Sequence, residues 1–426
     1  MLKKSTSLFR QVIPYNKIGL IALISIFSSS LISCKRKSDL LKDEYKTIDY
    51  VDIQPLLKKS CLKCHSSDGF APFSFEQVNF FQQKKSTLLE VLDRGIMPPW
   101  KPDIHYSKFK NEYGLNEEEI SMLYSWIYFG ASNNSGQSLP KLPANKILQN
   151  KKDGYCLQFS NQYIVPENND HYSCFTVPNP FDSDVYLSSI DLIPGDNRIV
   201  HHISAFMEIH NDGNRKEQFD KDFNCDGEIN EESKMVANWT MGSFSSPYKN
   251  GRGFMLPKNA SLYVQVHFTD GSKGLVDNSM ICFQKMSDTL TEEVFYGFKN
   301  NFDISFEPNQ RKNDTLVIDV LEDMRMLTIW PHTHQLAVSV ECFATTPDQQ
   351  LIKLIRIPKW DYFWHSSYEF IEEIFVPKGS KIFMAVNFDN TTSNKNNPHF
   401  PPQKVIYGRS SKDEMLTLAY SYVKAN

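Results

Sequence analysis

Trp330-Pro331-His332-Thr333-His334-Gln335-Leu336 decides how this chain is read. Residues two apart on an extended strand point to the same face, so the spacing sets the His332 and His334 imidazoles side by side, as two ligands for one metal. Short runs rich in β-branched and aromatic residues surround it, separated by Pro, Gly, Asn and Asp. Residues 186–192, 199–209, 261–269, 280–285, 316–320, 325–330, 337–343, 353–357, 382–388 and 416–423 read as strands, and this pattern argues for β-sandwiches. A histidine doublet, His201-His202, lies in one run, and His267 in another, Leu262-Tyr263-Val264-Gln265-Val266-His267-Phe268. Adjacent residues on a regular strand face opposite ways, so the doublet can serve one metal only at a bulge or a strand end. Alone it is a weak motif. Met415, in Asp413-Glu414-Met415-Leu416, adds a thioether. The candidate ligands thus fall into two trios, His201/His202/His267 and His332/His334/Met415. Imidazole with thioether selects copper over magnesium or calcium.

At 426 residues the chain exceeds what one core organises. With 46 basic and 50 acidic residues the net charge is −4, without a sustained basic stripe, which excludes nucleic acid as an expected partner. Lys3, Lys4, Arg10 and Lys17 precede an apolar run over residues 18–31, short for a membrane span and built like a secretory signal. Leu31-Ile32-Ser33-Cys34 resembles the bacterial lipobox, which implies lipidation at Cys34 and an exported, membrane-anchored lipoprotein of the cell envelope. A signal anchor that happens to contain a cysteine is the other reading. Residues 1–34 are then a signal peptide and 35–45 a polar tether.

Cys61-Leu62-Lys63-Cys64-His65 has the spacing of covalent haem c attachment, two thioethers plus His65 as axial ligand. A zinc or redox reading of the cysteines leaves His65 unexplained. Met97, in Arg94-Gly95-Ile96-Met97-Pro98-Pro99-Trp100, suits the sixth position on an extended loop. Met122 competes, but residues 115–129 have helical apolar spacing that places it in a core. Residues 51–131 resemble the cytochrome c modules that bacteria fuse to copper oxygenase-like domains. The expected fold is therefore multidomain: a small all-α cytochrome c domain (46–135), a linker (136–165), and two all-β, jelly-roll-like sandwiches (166–300 and 301–426).

Eight cysteines are present, and Cys34, Cys61 and Cys64 have the roles above. Cys156, Cys174, Cys225, Cys282 and Cys342 remain, an odd five in a disulfide-permissive setting. Asp222-Phe223-Asn224-Cys225-Asp226-Gly227-Glu228-Ile229-Asn230 follows the start of a calcium loop, with oxygen ligands at Asp222, Asn224 and Asp226. Ser233 stands where the bidentate acid belongs, so a solvated acidic turn is the alternative.

The order Val200-His201-His202-Ile203, Leu256-Pro257-Lys258 with Val266-His267, Pro331-His332-Thr333-His334 and Asp413-Glu414-Met415 resembles the copper type II, ascorbate-dependent monooxygenases, the peptidylglycine and dopamine hydroxylases, over roughly residues 170–424. The resemblance implies that His201, His202 and His267 hold an electron-transferring copper, and that His332, His334 and Met415 hold the catalytic copper where dioxygen meets a small-molecule substrate. It also implies a Cys174–Cys282 disulfide. In peptidylglycine hydroxylases an arginine and a tyrosine grip the substrate carboxylate; here Trp330 and Ala419 stand in those places, so a glycine-extended peptide is not the expected substrate. His365 and His399 match no ligand position and read as surface or packing residues. The expectation is an oxidoreductase using two copper ions and one haem c, supplied by ascorbate, another reductant or a redox partner protein. The rivals are an electron-transfer or copper-holding lipoprotein without oxygenase activity, and a structural surface module without copper.

Overall fold

The computed structural model describes residues 40–66, 71, 73–75, 77–110, 112–134, 136, 154–160, 162–166, 171–209, 234–241, 243 and 247–425. Cys34 and the candidate calcium loop around Asp222, Asn224 and Asp226 lie outside them. Twenty strands and four α-helices occur among the described residues. The helices are α1 (Tyr50–Ser60), α2 (Asn79–Gln83), α3 (Lys85–Asp93) and α4 (Glu117–Tyr128). Asn116 opens α4 with a capping box: its side chain accepts from Glu119 N at 2.9 Å, and Glu119 accepts from Asn116 N at 2.8 Å. Leu123, Trp126 and Ile127 then pack against Tyr50, Ile53 and Leu57 of α1.

The expected all-α cytochrome c domain ahead of two separate sandwiches is not what the chain forms. The fold is mainly β, and the helices are few and short. The helices keep a small cluster of their own, with Leu57, Leu89, Leu123 and Trp126, but the chain between α3 and α4 leaves it. After α3 the chain runs onto the second sandwich, where Phe109 is 2% exposed in that core and forms an antiparallel bridge with Phe370. Trp100 stands edge-on to Tyr368 at 5.6 Å, and Lys101, Asp103 and Lys110 pair with Asp361, Arg356 and Glu369. Burying a phenylalanine is worth about 1.5–3 kcal/mol, and the bridge covers an outer strand that would otherwise present an open edge. The tether and linker boundaries also move. Leu40 is buried with the helices and Asp43–Tyr45 is a turn of 3-10 helix, while Gly154–Gln158, expected in the linker, is already a sheet strand.

One eight-stranded sheet runs through both β halves, in the order Gly154–Gln158, Met280–Lys285, Val185–Ile193, Arg252–Leu256, Glu292–Asn300, Thr417–Lys424, Met324–His332, Tyr368–Val376. A four-stranded sheet (His171–Pro178, Ala260–Phe268, Val200–Ile209, Lys234–Thr240) faces its first half. Another (Arg311–Asp319, Lys381–Asp389, Ala337–Thr345, Leu351–Ile357) faces its second. Alternating apolar residues such as Ile382, Met384, Val386 and Phe388 turn to the second core. Leu262, Val264, Val266 and Phe268 do the same in the first.

The Cys174–Cys282 bridge does not form. Cys282 lies directly across the sheet from Cys156 and bonds to it, whereas Cys174 is on the opposing sheet and is disulfide-bonded elsewhere.

The halves join where Arg252–Leu256 meets Glu292–Asn300 in a short parallel pairing. Gly253 allows close approach on the other side of strand Arg252–Leu256, since a Cβ there would lie 2.7 Å from the Leu187 carbonyl oxygen of strand Val185–Ile193. Arg252 bonds Glu292 at 2.6 Å and Glu373 at 2.5 Å; Arg325 bonds Glu373 at 2.6 Å and also Glu292, closing a four-residue ring over four strands. Isolated exposed pairs contribute little, but a bidentate, partly buried network contributes more. Arg325→Ala is expected to lower unfolding free energy by about 1–2 kcal/mol in urea titration, and Glu292→Gln combined with it to cost less than the sum. An unchanged midpoint would show the ring to be idle.

Candidate metal centre

The doublet is irregular in the required way. Strand Val200–Ile209 pairs Val200 with Phe268 and His202 with His267, so the register slips at His201 and turns both imidazoles to one side. His201, His202 and His267 are buried, with one ring nitrogen from each lying within 4.8 Å of the others. His201 Nδ1 and His202 Nδ1 approach to 3.2 Å. Two neutral imidazoles can meet there only if one donates; a shared cation lets both present lone pairs. Tyr172 stacks on His267 at 4.1 Å, and Tyr362 Oη lies 3.4 Å from His267 Nδ1.

His332 ends strand Met324–His332, and His334 follows in a turn. Glu414, fully buried, shapes that turn. Its carboxylate accepts from Thr333 Oγ1 at 2.7 Å, Leu336 N at 3.0 Å, Met415 N at 2.8 Å and the His334 backbone N–H. Burial drives Glu414 up to about 7 against the pull of those donors. The His332 and His334 rings stand 5.2 Å apart and nearly perpendicular. His334 Nδ1 lies 3.2 Å from the Asp413 carbonyl oxygen, an acceptor that fixes the proton on Nδ1 and leaves Nε2 as the lone-pair nitrogen. His332 Nδ1 is buried without a hydrogen-bond partner.

The two histidine sets meet: the His202 and His332 ring centroids are 5.8 Å apart. Met415 lines a small cavity with His202, His332, Trp330, Tyr172, Tyr407 and Arg409, and His334 is not among its walls. Trp330 stacks on His332 at 4.9 Å and also lines a second cavity with Trp100, Tyr113, Tyr248, Tyr296 and Tyr368.

His365 is not at the surface. It is 1% exposed and sits among the other histidines, 4.8 Å from the His332 ring. Tyr362 stacks on His201 at 4.6 Å. Both belong to the loop Trp360-Asp361-Tyr362-Phe363-Trp364-His365, which has no ligand spacing; its aromatic density was the only sequence signal. His399 lies away from the cluster, its Nε2 3.1 Å from the Lys412 carbonyl oxygen.

Cys61 and Cys64 are free thiols that follow α1, with burial pushing Cys61 up to about 12 and Cys64 up to about 11. His65 Nδ1 lies 3.1 Å from the Phe73 carbonyl oxygen, and its ring stacks on Phe73 and Phe75 at 4.6 and 4.3 Å. Met97 is half-buried after α3, its backbone N–H donating to Val91 O.

No family model matches the chain, and no curated protein matches it. Among solved structures, an allantoicase covers 55% of this chain and 90% of its own, at 9% identity and a TM-score of 0.17. The infectious bursal disease virus VP2 subviral particle covers 64% and 75%, at 10% and 0.17, and Bacillus subtilis oxalate decarboxylase 64% and 77%, at 7% and 0.13. Likenesses of that size carry neither a fold nor a function to this chain.

Burial first, and then neighbouring imidazoles, hold His201, His202 and His332 well below the usual histidine range, and burial holds His365 down to about 4. The unfolded chain, with histidines near 6.5, therefore binds more protons than the folded one between 6.5 and about 4. Stability is present above 6.5 and falls on acidification through that window, by about 1.4 kcal/mol per pH unit for each histidine. Urea unfolding of metal-free protein should show this slope, and His202→Gln should make it shallower by about 1.4 kcal/mol per pH unit. A slope unchanged by the substitution would mean His202 titrates normally when folded.

Proposed function

We propose that this protein is a copper-dependent oxidoreductase that places one atom of dioxygen into a C–H bond of a small substrate, and that its electrons enter through a haem held covalently by Cys61 and Cys64. The observation carrying this reading is the convergence of His201, His202, His267, His332 and His334, brought from distant strands into one buried cluster beside Met415. Neutral, desolvated imidazoles without nearby carboxylate ligands suit a soft or borderline cation, and the thioether favours copper in its reduced state. When bound, copper supplies one-electron storage and dioxygen activation. The chain's own residues exclude bulk water, hold the imidazoles neutral, and line a small cavity beside them whose cationic wall residue is Arg409. Trp330, which lines that cavity, has a buried Nε1 without a hydrogen-bond partner, and this spare donor supports a polar substrate group beside it.

The haem-motif residues fit the group: the Phe73 carbonyl fixes the His65 proton on Nδ1 and leaves Nε2 as the lone pair that would hold a haem iron. Both thiols are free to form thioethers, with Met97 or another group as sixth ligand. Insertion of one oxygen atom consumes two electrons and two protons and releases water. A string of aromatic rings supports their entry from the haem side. Lys63 Nζ lies 5.7 Å from the Tyr113 ring, Tyr113 is 4.8 Å from Trp100, and Trp100 is 5.6 Å from Tyr368. Tyr368 is the cross-strand partner of Ile329, next to Trp330 and hence His332. Export and acylation at Cys34 belong to the same reading; no described helix is long and apolar enough to cross a membrane.

Protein made in an exporting host should bind copper, with a stabilisation of about 2.7 kcal/mol per site at copper near 100 times its Kd. Dioxygen uptake with a reductant should be abolished by Met415→Ile with the haem spectrum intact; surviving uptake would contradict the assignment, and copper that cycles without any uptake would favour the electron-transfer rival. Trp100→Leu should slow copper-dependent oxidation of reduced haem at unchanged copper content, and an unaltered rate would remove the aromatic route.

A further inference from the structure

His365 is the one histidine of the cluster that ligand spacing gives no reason to expect. Its Nδ1 lies 2.6 Å from the Tyr362 carbonyl oxygen. A carbonyl can only accept, so Nδ1 carries the proton and Nε2 is a bare lone pair. That Nε2 is buried with no hydrogen-bond partner, which costs about 1–3 kcal/mol unless something else meets it. The same is true of His332 Nδ1, on a ring whose centroid is 4.8 Å away. Two buried ring nitrogens without partners, one of them the His365 lone pair, are an arrangement a cation would satisfy.

The loop that carries His365 is fixed from both sides. Trp360 Nε1 donates to the His334 carbonyl oxygen at 3.0 Å, tying the loop to the His332/His334 turn. Lys101, on the arm arriving from the helical segment, pairs with Asp361 at 3.0 Å. A packing residue needs no such positioning of its Nε2; a ligand does.

We propose that His365, through Nε2, and His332 share one metal ion, so that an imidazole from this loop joins the His332 site beside the thioether of Met415. This rests on the copper reading above. It makes the site richer in nitrogen than the two-histidine spacing implies, and it binds the loop's position to metal occupancy.

The test compares the full-length protein with His365→Asn and His365→Gln, using copper alone as the probe. The Asn amide reproduces the donor to the Tyr362 carbonyl but has nothing at the Nε2 position, so it keeps the loop pinned while removing the ligand. His365→Asn should weaken one copper by at least roughly 100-fold in chelator competition and change the Cu(II) resonance spectrum, with metal-free stability preserved. Copper affinity and spectrum equal to wild type would overturn the proposal and leave the copper reading standing. Wild type that binds no copper would overturn both. Should the variants fail to fold, copper–ascorbate oxidation of wild type decides: 2-oxo-histidine should form at His365 as well as His332. Modification of His332 with an untouched His365 would contradict the assignment.

Discussion

Everything at the centre of this molecule depends on imidazoles kept neutral by removal from water. A charged histidine in a dry interior is expensive, and several charged histidines within about 6 Å of one another would add mutual repulsion. Burial therefore makes lone pairs available and leaves them unsatisfied. The surrounding polar atoms orient those lone pairs more than they consume them: the Asp413 carbonyl does so for His334, the Tyr362 carbonyl for His365 and the Phe73 carbonyl for His65. At those three rings a backbone carbonyl sets the tautomer, so the free nitrogen is decided by local chain geometry.

The shared sheet gives this arrangement its rigidity. Strands Val200–Ile209 and Ala260–Phe268 belong to one half, Met324–His332 and Thr417–Lys424 to the other, and the cluster lies where the halves meet. Two sandwiches joined only by a linker could drift apart. One sheet running through both, closed by the Arg252/Glu292/Arg325/Glu373 ring, fixes the histidines in a common frame. The arm over residues 98–113 adds a third clamp through Asp361 and Phe370.

Much of this was legible in the sequence where period decided the outcome. The runs expected at 186–192, 280–285 and 382–388 appear as Val185–Ile193, Met280–Lys285 and Lys381–Asp389, and the helix expected over 115–129 as Glu117–Tyr128. The doublet's need for a bulge is met by the slip at His201. What local pattern does not encode was not legible. Cys156 pairs with Cys282 because their strands are neighbours, a fact of topology. Phe109 lies in the core of the second sandwich and Trp100 packs against it, a placement that no local spacing encodes. His365 and Glu414 act through contacts made across the fold, so neither has a spacing to betray it.

Anomalous diffraction at the copper edge, from crystals of the full chain grown with copper, tests the central claim most directly. The account predicts density inside the cluster, with one ion within bonding reach of His201, His202 and His267 and another beside His332. An interior without anomalous density, its histidine nitrogens met by ordered waters or by each other, would contradict it.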